Sequence, residues 1–335
     1  MIKRIVLLLW AFAVVCPAYA VTDTVTFIPG GGEADAHALE MLAWASGEFE
    51  VDLQPGDGDA DAVLTFITAK PTGHEPLDTV RLRWFKPDVP LQQAAGASVP
   101  SAPAVLVVHS LHPDMPVGLG LCRGLRARGI HAFLLELPGY GKRRSKRRKM
   151  TGITALLQAP MAVADARRAF DVIADRPEID ADRISIQGTS LGSYFSVAAA
   201  GLDGCFANTF LLLSGGDGVG ILERGQKDAY HVRRALKHYG YEGEKLRALI
   251  DPVEPLRLAP RLDATRTWMV NAVNDTVVPR ENAQALADAM GLEPAHHAWV
   301  MGNHYTSFLM LPAVLDQMVR EVTVVTPRGM VEAAP

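Results

Sequence analysis

From about residue 104 onward, short apolar runs are separated by longer amphipathic stretches. The runs at 104–108, 132–137, 183–187, 209–213, 267–273 and 298–301 predict strands, and they are continuous rather than alternating. That is the pattern of strands covered on both faces, as in a parallel sheet. Between them, residues 161–174 are amphipathic and are followed by Pro177, and residues 281–290 open after Pro279 and stop before Gly291, so both predict helices. Strand–helix alternation of this kind predicts a mostly parallel sheet with helices on both faces. Upstream, 62–68 and 79–85 alternate partly around Pro71-Thr72-Gly73 and predict an antiparallel hairpin at the sheet edge. Residues 90–102, small, polar and proline-bearing, predict a surface loop. The segment 215–261 is rich in charge, carries Tyr230, His231, Tyr239 and Tyr241, and has no strand pattern. It predicts either a small helical cap above the carboxyl ends of the strands or a plain connecting helix pair.

With 335 residues, 49% of them apolar, the chain can bury one large core. A net charge of -4 leaves no nucleic-acid partner expected. The N-terminus sets Lys3-Arg4 before an apolar run from Ile5 to Val15 and then Pro17-Ala18-Tyr19-Ala20, the layout of a signal peptide cleaved after Ala20. The run is well short of the ~20 residues that cross a bilayer. Val14-Val15 before Cys16 lacks the small residues of a lipoprotein processing site. The expected organisation is a signal peptide at 1–20, one α/β domain at 21–322 with 215–261 as its possible cap, and a tail at 323–335. Export to the periplasm or the medium follows, with no transmembrane segment after cleavage. Cys122 and Cys205 then remain, too few for a disulfide framework and expected as isolated buried thiols, although one bridge between them is open.

The predicted strand 183–187 runs into Gly188-Thr189-Ser190-Leu191-Gly192, a G-x-S-x-G turn followed by a helical pattern at 194–200. Small residues two before and two after the serine let a sharp turn expose its hydroxyl at a helix N-terminus. A serine hydroxyl needs a base in hydrogen-bonding reach and a carboxylate to orient that base. His304, in Gly302-Asn303-His304-Tyr305 after the last predicted strand, is the candidate base. Asp275, in Asn274-Asp275-Thr276 just after 267–273, is the candidate acid. Asp251 and Asp263 precede that strand, while Glu281 and Asp288 fall on the helix after it. His296 and His297 stand at the wrong end of the last strand. His109 and His112 have i, i+3 spacing without a third ligand cluster, so no metal is expected.

These three motifs, in the order serine, acid, histidine, resemble the α/β-hydrolase superfamily over roughly residues 60 to 322, closest to its dienelactone hydrolase and acetyl-xylan-esterase-like branch. The resemblance implies the triad Ser190, Asp275 and His304, no cofactor, and an oxyanion hole made by the backbone amides of Leu191 and Leu111. The family's usual His-Gly at the second amide is His109-Ser110 here. The implied activity is hydrolysis of a carboxylic ester, small-molecule or saccharide, through an acyl-enzyme. Two alternatives share the scaffold: a serine peptidase of the prolyl-oligopeptidase type, although no long propeller sequence precedes the domain, and a catalytically silent binding protein.

Residues 142–149 read Lys-Arg-Arg-Ser-Lys-Arg-Arg-Lys, seven basic residues of eight in an acidic chain. They follow the turn Pro138-Gly139-Tyr140-Gly141 on the edge of the sheet where the serine is expected. Arg143, Arg144, Tyr140 and Tyr305 are therefore candidates to meet substrate, and the run is a candidate attractor of an anionic substrate or surface. The plainer reading is a solvated loop.

Overall fold

The computed structural model describes residues 18–28, 33–89, 102–144 and 151–324. Within them a single sheet contains β1 (Tyr19–Thr22), β2 (Glu48–Pro55), β3 (Ala62–Ile67), β4 (Thr79–Phe85), β5 (Ala102–Val108), β6 (His131–Leu135), β7 (Ile179–Thr189), β8 (Thr209–Leu212), β9 (Thr267–Ala272) and β10 (His297–Val300). The spatial order is β1-β2-β3-β4-β6-β5-β7-β8-β9-β10. From β6 to β10 all neighbours are parallel, and from β1 to β6 all are antiparallel. All six apolar runs of the parallel half form strands in register with the expectation.

β5 shows why. Ala-Pro-Ala-Val-Leu-Val-Val is buried at every position after the first, because helices cover both of its faces. Pro116–Arg126 and Leu311–Thr323 pack together on one face, Ala159–Ala174 and Leu191–Asp203 on the other. The chain leaves β5 for β6 on one side and returns to β7 on the other, so a crevice opens at the carboxyl end of β5.

The antiparallel half differs from expectation in two respects. β3 and β4 do pair antiparallel, Ala62 opposite Trp84 and Ile67 opposite Thr79, but the short helix Glu75–Asp78 lies in their connection. Nor are they the sheet edge, because β2 and β1 extend the sheet beyond them. The alternation Glu-Phe-Glu-Val-Asp-Leu at the start of β2, with Val51 buried between exposed acids, is the signal for that strand. β1 contains Tyr19 and Ala20, so the expected processing point after Ala20 falls within it. Val21 and Thr22 would remain opposite Phe49 and Glu48. Asp23 would remain gripped by Arg168 through Nε at 3.0 Å and Nη2 at 2.6 Å. Residues 1–17 of the expected signal peptide, most of the loop 90–102, residues 145–149 of the basic run and 325–335 of the tail lie outside the described residues. Among those described, no helix is long and apolar enough to cross a membrane. Cys122 and Cys205 are both free thiols.

The segment 215–261 is helical, through Gly218–Arg224, Asp228–His238, Glu244–Ile250 and Pro255–Leu258. It does not stand alone. Thr151–Leu157, from the β6–β7 connection, gives Ile153 and Leu156 to a cluster with Leu222, Leu236, Leu246 and Ile250, separate from the main core. The cap is thus built from two distant pieces of chain.

Arg143 does not fill the substrate-binding role expected of it. Its side chain is fully buried, with Nη2 2.8 Å from Asp165 and its other N–H groups donating to the carbonyls of Leu77 and Glu136. Asp165 also accepts from the Thr68 hydroxyl at 2.5 Å. A guanidinium in that position pins the turn after β6 to the long helix Ala159–Ala174. Removing one partner of a buried pair strands the other, so Arg143→Gln should lose about 3–5 kcal/mol of stability. Arg144, exposed, should tolerate the same change within about 0.5 kcal/mol. Urea denaturation of both variants checks the contrast.

His131 opens β6 and accepts a hydrogen bond from Trp84 Nε1 at its Nδ1, 3.0 Å. Burial pushes its pKa down to about 4. Between the ordinary histidine value near 6.5 and about 4, the unfolded chain binds a proton that the folded one refuses, so stability falls as pH falls through that window. The loss is at most about 1.4 kcal/mol per pH unit for one proton. Gln can accept the same bond without titrating, so denaturation at pH 7 and pH 4.5 should show a smaller acid loss in His131→Gln than in the wild type. Equal losses would mean that this imidazole is not held neutral.

Candidate active site

Three loops at the carboxyl edge of the sheet bring Ser190, Asp275 and His304 together. Ser190 stands between β7 and the helix Leu191–Asp203 with φ 50° and ψ -115°, a conformation that non-glycine residues rarely adopt. The sharp reversal leaves no room beside it. A Cβ on Gly188 would lie 2.6 Å from Ser193 Cα, and one on Gly192 would strike the carbonyls of Val108, the last residue of β5, and of His109 just after it. The serine is held there by its own backbone, whose N–H donates to Leu212 O at 2.8 Å and whose carbonyl accepts from Ser193 N at 2.9 Å.

Asp275 follows β9, and its Oδ1 accepts the backbone N–H groups of Val277 and Val278 at 2.8 and 3.0 Å. That fixes the carboxylate and turns Oδ2 toward His304, whose Nδ1 lies 2.7 Å away. His304 Nε2 lies 3.0 Å from Ser190 Oγ. With Nδ1–H donating to the carboxylate, Nε2 keeps its lone pair for the serine hydroxyl. Both partners of the acid–imidazole pair are nearly buried, at 2% and 8% side-chain exposure, so little solvent competes for that bond. The rival carboxylates are elsewhere: Asp251 opens a turn of the cap, and Asp263 caps the turn before β9.

Of the two implied oxyanion residues, Leu191 directly follows the serine and Leu111 borders the same cavities as it does. Leu191 is the first residue of the helix after Ser190, where an N–H has no intrahelical acceptor. Leu111 lines the cavities on both sides of Ser190. The residue before Ser110, His109 of the implied motif, is tied down by two hydrogen bonds. His109 is fully buried, its Nδ1–H donates to Ser110 O at 2.8 Å, and its Nε2 accepts from Leu137 N at 3.3 Å. Burial pushes its pKa down to about 4, which keeps it the neutral tautomer that this pair of bonds requires. His109 thereby anchors the loop that presents Leu111. Its position at the end of a strand, two residues before the implied amide, is the signal for that role. Among the described residues, no group of three or more His, Cys, Asp or Glu could hold a metal ion.

Of the other candidates, Tyr305 lines the larger cavity and is 40% exposed. Burial, together with the Asp228 carboxylate of the cap, pushes its pKa up to about 12. Asp228 itself lines the cavities on both sides of Ser190, a placement that nothing in its sequence surroundings indicates. Tyr140, in contrast, is fully buried, with its ring edge-on to His109 at 4.4 Å, so it supports the site from behind and does not meet substrate. His296 stacks on Trp268 at the amino end of β10, away from the serine.

No family model matches the sequence, and no curated protein matches it. Solved structures do resemble it. The acetyl xylan esterase from Paenibacillus sp. R4 superposes with a TM-score of 0.62 at 17% identity, over 86% of this chain and 92% of that one. Acetyl xylan esterase 1 from Thermoanaerobacterium sp. JW/SL YS485 gives 0.58 at 14%, over 88% and 96%. A puromycin-hydrolyzing peptidase from Mycobacterium tuberculosis gives 0.56 at 18%, over 84% of this chain and 47% of the peptidase. At such identities the likeness is one of architecture, and the architecture, a mostly parallel sheet flanked by helices, is the α/β-hydrolase fold.

Proposed function

We propose that this protein is an exported serine hydrolase that cleaves carboxylic esters. The observation that carries the reading is the continuous chain Asp275 Oδ2–His304 Nδ1 at 2.7 Å and His304 Nε2–Ser190 Oγ at 3.0 Å, on a strained turn that exposes the serine to a cavity of about 300 Å³. In the proposed reaction His304 Nε2 takes the hydroxyl proton as Oγ bonds to the acyl carbon, and the carbonyl π pair moves onto its oxygen against the amides of Leu191 and Leu111. The C–O bond to the alcohol then breaks as Nε2–H protonates the leaving oxygen, which leaves an acyl-enzyme. Water, deprotonated by the same nitrogen, attacks the acyl carbon, and Oγ departs with the proton. Asp275 stabilises the imidazolium in both halves.

The test is labelling by a fluorophosphonate probe together with hydrolysis of p-nitrophenyl esters. Ser190→Ala should abolish both while the far-ultraviolet circular dichroism is unchanged, because the hydroxyl contributes nothing to packing. In Asp275→Asn the side-chain oxygen can keep the bonds from Val277 and Val278, which turns the amide NH₂ toward His304. Nδ1 must then accept, the proton moves to Nε2, and the base is lost. A fall of about 10⁴ in kcat is expected. Full activity in either variant would refute the assignment.

Export rests on the N-terminal charge and apolar run with Ala18-Tyr19-Ala20. Mass spectrometry of the exported protein should find Val21 as the first residue. An intact Met1, or a lipid on Cys16, would refute it.

A further inference from the structure

Two cavities of unequal size meet at Ser190. The larger, about 300 Å³, is bordered by His304 and walled by Val117, Leu213, Val270, Val300, Phe308 and Val314. The smaller, about 80 Å³, lies under the cap between Leu156, Tyr194, Ile221, Leu222, Val232 and Ile250. Ser190 and Leu111 border both, but His304 borders only the larger.

That asymmetry orients a substrate. The leaving oxygen must be protonated by His304 Nε2, so the alcohol half of an ester belongs in the larger cavity. The acyl half is left with the smaller one, beside the implied oxyanion residues Leu111 and Leu191. Resting on the serine-hydrolase reading above, we propose that the substrates are esters of short acyl groups, two to four carbons long, with a bulky apolar alcohol, and not acetylated saccharides.

Size sets the acyl limit. A cavity of ~150 Å³ holds a benzene molecule, and the smaller lobe has about half that volume, enough for about three or four carbons. Chemistry sets the alcohol. A saccharide would bring several hydroxyls against the valine and leucine walls of the larger lobe, and each hydroxyl without a partner is penalised on leaving water. Apart from Ser190 and His304, the polar side chains there are Ser110, His112, Thr189, Asp228, Tyr305 and Ser307. Thr189 and Ser307 are themselves buried, the Thr189 hydroxyl already accepts from Gln187 Nε2 at 2.8 Å, and the surface that the lobe presents is mainly carbon. The apolar wall continues outward through Phe308, 58% exposed, to Leu309 at 70%, which gives a large apolar alcohol further surface to cover.

The experiment uses the full mature chain, with active sites counted by fluorophosphonate titration so that misfolded protein does not enter the rates. In the p-nitrophenyl series, kcat/KM should rise about fourfold per added methylene up to butyrate and fall at least tenfold by octanoate. Among acetates of alkyl alcohols, where leaving-group acidity is similar, benzyl acetate should exceed ethyl acetate and acetylated xylose by tenfold or more. Ile221→Ala, or the milder Ile221→Val, should move the acyl optimum to longer chains. Val314→Phe should lower the ratio of benzyl to ethyl acetate at least tenfold. An optimum at octanoate or beyond, or a preference for acetylated xylose, in protein whose Ser190 is labelled would overturn the substrate assignment and leave the serine-hydrolase reading standing. No labelling and no ester cleavage would overturn both.

Discussion

The turn at Ser190 constrains everything around it. A left-handed φ at a serine between strand and helix is unfavourable by itself, and it persists because β5, β7, β8 and the following helix leave the backbone nowhere else to go. Gly192 packs directly against the backbone of β5, and the Ser190 N–H is tied to β8. The strands must therefore be in place before the serine can be exposed. Once they are, the first helical amide and the serine hydroxyl necessarily face the same crevice.

The crevice exists because the chain reverses its winding at β5, and the three side chains of the candidate triad reach it from loops after β7, β9 and β10. Besides the bonds among the three, each is held from outside the site: Asp275 by two consecutive N–H groups, Ser190 by β8, and the His304 loop by Asn303, whose side-chain oxygen accepts from the Tyr305 and Thr306 amides at 3.0 and 3.1 Å. Such a site is organised before substrate arrives, which is what a charge-stabilising pocket requires.

The antiparallel extension is joined to the parallel half by buried charge. Arg167 and Arg168, adjacent on the helix Ala159–Ala174, reach Asp171, Asp203 and Thr24 in one case and Asp23 and Ile67 O in the other. Pairs of this kind add modest net stability but make any other docking leave a charge unpaired. They hold β1 and β3 in a single arrangement over that helix, as Arg143 holds the turn after β6.

The sequence by itself determined the parallel half of the fold and the three residues of the candidate triad. Unbroken apolar runs betray strands covered on both faces, and a sharp strand-to-helix turn demands glycines at fixed offsets from its serine. It also contained β2, through the alternation from Glu48 to Leu53. Other features were decided only in three dimensions. Arg143 belongs to a basic run whose composition implies solvent, yet it is buried, because a partner 22 residues away, Asp165, lies on a helix that packs behind the turn. The cap draws Ile153 and Leu156 from another crossover, a pairing that no local pattern encodes. The two cavities beside Ser190, with Asp228 lining both, are assembled from the cap, the loops after several strands and the last helix, all distant in sequence. Local periodicity records which face of an element is buried, but not which distant element buries it.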